Sequence, residues 1–317
     1  MNTLDKKEFL RDYNLSKKFD ESGYTWNEMQ SIYSFFCNNK KNLEDVARSF
    51  EEYLSSLFRS KKIPGLYYKY RIKDPEHLIE KIIRYSKNQD VKITCQNLFD
   101  QLNDLIGFRV IHSFKSDWIK LHELIVSLPQ FTIDKSFVFT ISDNYPTVFY
   151  REGDDLSWLG KYGKEIKQKK LPDSTQFVEK KPHERKYRST HYYFISKNYQ
   201  LELQVRTVFE EAWCEVDHTK IYPYKTSNAK LRALSDILNR VSGAADEIVA
   251  FMDDYCSALD ERKKQDDTLK KNLRTIRAIL MDSDLSENEK LSKVSNLMDD
   301  IRIARVRQTP FAKITEY

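Results

Sequence analysis

Two stretches joined by two residues constrain this chain more than any other feature. Tyr187–Ser196 and Tyr199–Arg206 both alternate in polarity, and only Lys197-Asn198 separates them. Successive side chains of an extended strand point to opposite faces. On the second stretch Tyr199, Leu201, Leu203 and Val205 therefore line one face, and Gln200, Glu202, Gln204 and Arg206 the other. On the first, Tyr187, Ser189, His191 and Tyr193 share a face. The spacing predicts a β-hairpin, apolar on the core side. Its other side carries Glu202, Gln204, Arg206, Ser189 and His191 beside an exposed Tyr187. Such a surface offers a ring on which a base can stack and donors for phosphate. A merely half-solvated strand would read the same way in isolation.

The rest of the chain sorts around this hairpin. Residues 26–59 carry apolar positions at helical spacing, interrupted by Asn38-Asn39-Lys40-Lys41. Leu66–Lys73 alternates as a strand with a basic face of Lys69, Arg71 and Lys73. Asp74 and Pro75 read as the cap and first residue of a helix running to about Tyr85. Asp104-Leu105-Ile106-Gly107 leads into a strand over 108–114, where Gly107 permits close approach and Arg109 follows. A helix opens at Ser116-Asp117, and strands are expected over 131–141 and 146–150. From Val208 onward the pattern is helical, over 208–220, 226–259, 260–281 and 286–306. Helices, a mixed middle, then helices predict an α+β class: a mixed central β-sheet with flanking helices, plus a helical C-terminal extension. The expected organisation is N-terminal helices over 1–59 packing on the core, a core over 60–225, and a helical region over 226–317. After the Ser286–Glu289 capping box, the stripe Leu291, Val294, Leu297, Met298 and Ile301 reads as core packing, with oligomerisation or regulation as the alternative.

Composition removes other classes. A chain of 317 residues with 13% aromatics can bury a core and is not a disordered one. Its longest apolar runs fall far short of the roughly 20 residues a membrane helix needs, and Met1–Glu8 is polar, so a soluble cytoplasmic protein is expected. Cys37, Cys95, Cys214 and Cys256 form no paired motif and read as buried small hydrophobes. The net charge is +5, and residues 161–186, with nine bases and four acids, hold an equal excess. That stretch is either a solvated loop or a contact for a polyanion such as nucleotide phosphate or RNA.

Asp104 at a strand edge and Glu202 on a sheet face could together hold Mg²⁺, which takes oxygen ligands and bridges substrate phosphates. Four stretches, in order, resemble the synthetase domain of the RelA/SpoT family, which makes the alarmone (p)ppGpp. Arg71-Ile72-Lys73-Asp74-Pro75-Glu76-His77 with Lys81 resembles R-x-K-x-P-x-S-x-x-x-K, and Asp104–Arg109 is similar to D-x-x-G-x-R. Lys186–His191 is similar to G-Y-x-S-x-H, and Glu202–Thr207, continuing to Trp213, Glu215 and His218, to the E-x-Q-x-R-T strand and its helix. The resemblance covers about residues 60–225. It implies that Arg71 and Arg109 sandwich the adenine of ATP while Lys73 and Lys81 hold its phosphates. It implies that Asp104 and Glu202 bind Mg²⁺, Glu202 also drawing the proton from the acceptor hydroxyl. Tyr187 would stack on the acceptor base, with Lys181, His191, Gln204 and Arg206 lining that side.

Departures from the family pattern are His77 in place of Ser, Lys186 in place of Gly, and a Lys181–Lys186 segment two residues longer. No room precedes residue 60 for the family's hydrolase domain and no His-Asp dipeptide occurs, so a small synthetase-only protein is expected. The implied reaction moves the β,γ-pyrophosphate of ATP to the 3′-hydroxyl of GDP or GTP. The alternatives are a toxin-type enzyme acting on the tRNA 3′ end or adenine nucleotides, with tRNA and an antitoxin as partners, and an inactive nucleotide- or RNA-binding module. Homo-oligomers are a further open partner class; no membrane partner is expected.

Overall fold

The apolar side of the hairpin finds its cover in the N-terminal helices. In a computed structural model of the chain, the structure describes residues 3–61, 63, 67–88, 91–128, 131–133, 137–141, 146–163, 178–196, 199–222, 225 and 227–307. Its helices are α1 (Lys6–Asp12), α2 (Ser16–Asp20), α3 (Trp26–Ser60), α4 (Pro75–Tyr85), α5 (Leu98–Gln101), α6 (Asp117–Val126), α7 (Val208–Lys220), α8 (Ala229–Met281) and α9 (Glu287–Arg307). Its strands are β1 (Tyr67–Ile72), β2 (Ile106–His112), β3 (Phe131–Ile133), β4 (Phe137–Ile141), β5 (Thr147–Tyr150), β6 (Glu179–Pro182), β7 (Ser189–Ile195) and β8 (Gln200–Thr207). The architecture is α+β, as the order of elements predicts.

The sheet runs β1-β2-β8-β7-β4-β3, and β5 pairs with both β7 and β6. The β2–β8 and β5–β6 pairings are parallel and the others antiparallel. Because β4 takes the C-terminal end of β7 and β5 the N-terminal end, both lie along the same edge. The connection at Lys197-Asn198, residues 134–136 and residues 164–177 of the basic stretch lie outside the described residues.

Core packing follows the period-2 pattern. Ile106, Phe108 and Val110 of β2, Leu201, Leu203 and Val205 of β8, and Tyr192 and Phe194 of β7 are all buried. Against them α3 presents Met29, Ile32, Phe36, Leu43, Val46, Phe50, Leu54 and Phe58, one stripe at helical spacing. Phe50 meets Phe108 edge-on at 4.5 Å between ring centroids and Phe194 at 5.3 Å. A Thr25–Glu28 capping box starts α3, which then runs unbroken through Asn38–Lys41. Polar residues without Gly or Pro do not stop a helix whose apolar stripe continues beyond them. Asp74 caps α4 with bonds from the Glu76 and His77 amides, as its position predicts.

Two compact units are present, residues 1–250 and 251–317. The helices expected at 226–259 and 260–281 are one helix, α8; Asp260-Glu261-Arg262-Lys263 is charged but contains no breaker. Within the first unit α8 buries a polar face of Asn239, Ser242, Gly243 and Asp246, while Leu234, Ile237, Val241 and Ile248 are exposed. Arg188 explains the inversion. It forks onto Asp154 (2.6 and 2.8 Å) and donates to the Asn239 carbonyl and side chain (3.1 and 2.9 Å). A Cβ at Gly243 would lie 2.8 Å from Arg188 Nη2, so only glycine leaves room for the guanidinium.

In the second unit the Ser286–Glu289 capping box forms and Leu291 and Met298 are exposed; the Ile301 side chain is outside the described set. All four cysteines are free. Cys214 alone is buried and Cys256 is exposed, which corrects the reading of all four as core residues.

Arg188→Met should cost about 3–5 kcal/mol, because it strands the Asp154 carboxylate; a denaturant midpoint series checks this. The buried Asp246 carboxyl, which accepts from Thr207 Oγ1 at 2.9 Å, is pushed up to about 7 by desolvation and by Glu210, against the pull of Lys115 and Arg188. The folded state therefore holds this proton where the unfolded chain releases it. Stability should fall as pH rises from about 4 to about 7, and Asp246→Asn should flatten that slope in melting curves.

Candidate active site

The second face of the sheet is the polar one, and the register aligns its residues in rows. One row runs Arg71, Gly107, Glu202, Tyr193 across β1, β2, β8 and β7; the next runs Lys69, Arg109, Gln204, His191. Arg71 is exposed and lays its stem across Gly107, where an added Cβ would meet Arg71 Cγ at 3.7 Å.

Asp104 stands at the entry to β2. Its Oδ2 accepts from Lys73 Nζ at 2.8 Å and from Lys81 Nζ at 2.7 Å. Lys73 comes from the end of β1, whose ladder continues as the Lys73 amide donates to the Leu105 carbonyl at 3.0 Å. Lys81 sits on α4, so Asp104 ties three elements together. Burial alone would raise the Asp104 carboxyl, yet Lys73 and Lys81 hold it well below the usual carboxylate range. Burial lowers Lys73 in turn, against the pull of Asp104. The other oxygen, Asp104 Oδ1, is buried without a hydrogen-bond partner among the described residues.

Glu202 is also buried. His191 Nδ1 lies 2.9 Å from its Oε1, and Gln204 donates to its Oε2 at 2.7 Å. Burial pushes Glu202 up, but His191 and Gln204 leave it below the ordinary value, and Asp104 is close enough to oppose them. Burial raises the Tyr193 phenol, with Glu202 adding to the effect. Asp104 and Glu202 thus supply oxygen donors suited to a hard cation, and Asp104 Oδ1 is a buried acceptor left open for one. Among the described residues no cluster of three or more His, Cys, Asp or Glu is placed to hold a metal. A magnesium ion there would draw its remaining ligands from substrate phosphates and water.

The arginines are held from above by α7. Thr207 ends β8 and caps α7 through a box with Glu210, so the helix starts where the strand stops. This carries Glu211 and Glu215, one turn apart, over the polar face. Arg109 donates to Glu211 Oε1 at 2.6 Å and to Glu215; Arg206 donates to Glu211 Oε2 at 2.6 Å. Arg206 also reaches Gln204 and the Tyr187 hydroxyl, and its guanidinium lies 4.9 Å from the Tyr187 ring centroid. Tyr187 is half-buried, not exposed as the sequence pattern predicts, because Arg206 covers its ring and its hydroxyl lies 3.0 Å from His191 Nε2. Burial pushes that phenol up to about 12 in spite of Arg206.

The structure therefore brings Lys73, Lys81 and Asp104 into one contact group, and Tyr187, His191, Glu202, Gln204, Arg206 and Arg109 into another. Lys181 stands apart on β6, exposed and paired with Glu179 at 2.9 Å. His77 is exposed, 3.5 Å from the Asp74 carboxylate. Pattern reading missed Glu211 as the bridge between the arginines. It also missed the Thr207–Glu210 capping box, which is legible in the sequence and places that bridge. His218, on the same helix, is pushed down to about 4 by burial and by Arg206, Arg71 and Arg109, and stays neutral near pH 7.

Residues 70–227 match the profile of the region found in RelA / SpoT proteins. Among solved structures, the chain is similar to small alarmone synthetase 1 of Bacillus subtilis bound to its product pppGpp: 16% identity over 71% of this chain and 97% of that one, TM-score 0.46. A GTP pyrophosphokinase family protein of Streptococcus pneumoniae shows 18% identity over 68% and 92%, TM-score 0.47. Small alarmone synthetase 2 of Bacillus subtilis shows 16% over 72% and 98%, TM-score 0.44. No curated protein matches the sequence. The matched region spans all four motifs, from the strand that carries Arg71 to the helix that carries His218, and the chain belongs to the RelA/SpoT family.

Proposed function

We propose that this chain is an ATP-dependent pyrophosphokinase that transfers the β,γ-pyrophosphate of ATP to the 3′-hydroxyl of GDP or GTP, giving (p)ppGpp and AMP. The observation that carries this reading is the buried Asp104 carboxylate at the entry to β2, fixed by Lys73 and Lys81 with one oxygen open among the described residues, and close enough to Glu202 for the two carboxylates to repel each other. Phosphoryl transfer asks for positioned cations around the moving group more than for covalent chemistry. Lys73 and Lys81 hold the donor phosphates, and Arg71 and Arg109 take its base from the two adjoining strands. Magnesium, held by Asp104 and Glu202, supplies charge neutralisation on the transferred group.

On the acceptor side Tyr187 presents a ring, and Arg206, Gln204 and His191 present donors. In this reading Glu202, ionised beside His191, takes the proton of the acceptor hydroxyl. Lys181, on β6 three strands from β8 by way of β7 and β5, belongs to the same side in this reading and comes to the site through the acceptor. Retention of both buried carboxylates favours an enzyme over an inactive binding module.

Asp104→Asn and Glu202→Gln should each lower turnover at least a hundredfold, the scale of removing one group that stabilises developing charge, measured at a temperature where both variants are folded, because Asp104→Asn also leaves Lys73 and Lys81 without their carboxylate and lowers the melting temperature. Near-normal turnover in either variant would remove that residue from the metal site. Label transfer from γ-labelled ATP, offered GDP, GTP, ATP and tRNA separately, should mark a guanine nucleotide; label on tRNA alone would assign the toxin-type acceptor. Tyr187→Ala should weaken use of that acceptor by about 1–3 kcal/mol, the loss of one stacked base, with the ATP requirement little changed in steady-state kinetics.

A further inference from the structure

The carboxylate of Glu211 is taken at both oxygens, one by Arg109 of β2 and one by Arg206 of β8, each at 2.6 Å. Glu215 reaches Arg109 alone. Arg206 and Glu211 are almost fully enclosed, with 3% and 13% of their side chains exposed, whereas Glu215 is 55% exposed. Two guanidiniums on neighbouring strands repel each other, and a carboxylate between them relieves that repulsion in the way a bound anion would.

The simple alternative is that these pairs fasten α7 to the sheet. The helix has other fastenings that involve neither arginine. The Thr207–Glu210 capping box fixes its start. Trp213 Nε1 donates to the Ser235 carbonyl and hydroxyl, both at 3.1 Å, and Asp217 takes Arg185 at 2.6 Å and the Ser235 hydroxyl at 3.0 Å. Neutralising Glu211 leaves all of these in place.

We propose that Glu211 is an internal competitor of the nucleotides, a carboxylate that occupies the donor-side arginine and the acceptor-side arginine at once, while Glu215 competes on the donor side only. The inference rests on the proposed assignment of Arg109 to ATP and of Arg206 to the acceptor. A donor base that stacks on Arg109 meets a guanidinium whose charge is already drawn by Glu211 and Glu215, which weakens the cation–π attraction, and an acceptor phosphate can engage the in-plane N–H groups of Arg206 only as these give up the carboxylate. Each nucleotide therefore binds against the affinity of a contact already made within the protein. Glu211 is a positioning residue here, since it acts through the arginines and not on the reacting atoms.

Calorimetric titration of a non-hydrolysable ATP analogue and of GDP separates the readings. Glu211→Gln should tighten both by roughly threefold to tenfold, the range expected when one ion pair no longer opposes binding. Glu215→Gln should tighten the ATP analogue and leave GDP unchanged. A purely structural role gives weaker binding or none of this split. Unchanged or weakened affinity for both ligands in Glu211→Gln overturns the proposal, as does a Glu215→Gln variant that shifts GDP as much as the analogue. Should Glu211→Gln fail to fold, Glu215→Gln decides alone, because its exposed carboxylate carries no core packing; no tightening of the analogue counts against competition. Parent protein that binds neither ligand overturns the pyrophosphokinase reading itself, a different result from parent protein that binds both without any response to the two substitutions.

Discussion

Charges withdrawn from water must be paired, and the polar face of the central sheet is arranged around that requirement. Lys73 and Lys81 converge on one oxygen of Asp104; Arg109 and Arg206 converge on Glu211. His191 and Gln204 hold Glu202. Apart from Gln204 and Glu202, both on β8, each pairing joins residues from different elements, so the sheet, α4 and α7 keep their relative places through the same contacts that assemble the site. Among the described residues of this face, Asp104 Oδ1 is a buried oxygen without a hydrogen-bond partner, and an unmatched buried acceptor is the feature that the proposed cation would satisfy.

The same rule governs the first part of α8. A helix that buries Asn239, Ser242 and Asp246 and exposes Leu234, Ile237 and Val241 contradicts ordinary amphipathic logic. Its buried face answers Arg188, which stands immediately before β7 and leads into Ser189 and His191 on the polar face of the sheet. Asn239 returns a bond to the Lys186 carbonyl at 2.9 Å. Lys186 itself sits at positive φ, a conformation that suits the glycine of the family pattern. The segment carrying Tyr187 is therefore clamped from both ends, by α8 behind and by Arg206 above, and its ring is less free than an exposed aromatic would be.

Much of this was legible before any coordinates. Alternation in Tyr187–Ser196 and Tyr199–Arg206 fixes which residues share a face, because the period of a strand is two whatever surrounds it. Asp74-Pro75 declares a helix start, and the four motifs, in order, point to Asp104 and Glu202. Helix ends were the weaker part. The polar clusters at Asn38–Lys41 and Asp260–Lys263 look like breaks, yet α3 and α8 run through them, since a helix stops for a missing amide or a strained φ and not for polarity.

The sequence by itself determined the class of fold, the two faces of the sheet and the set of residues available for chemistry, since these follow from local periodicity and from residue type. Tertiary structure alone decided which charges meet. Arg109 and Glu211 lie 102 positions apart and Lys73 and Asp104 lie 31 apart, and no local rule relates such pairs. They come together because the parallel β2–β8 register and the cap at Thr207 set their elements side by side, where desolvation leaves an unpaired charge too costly to keep.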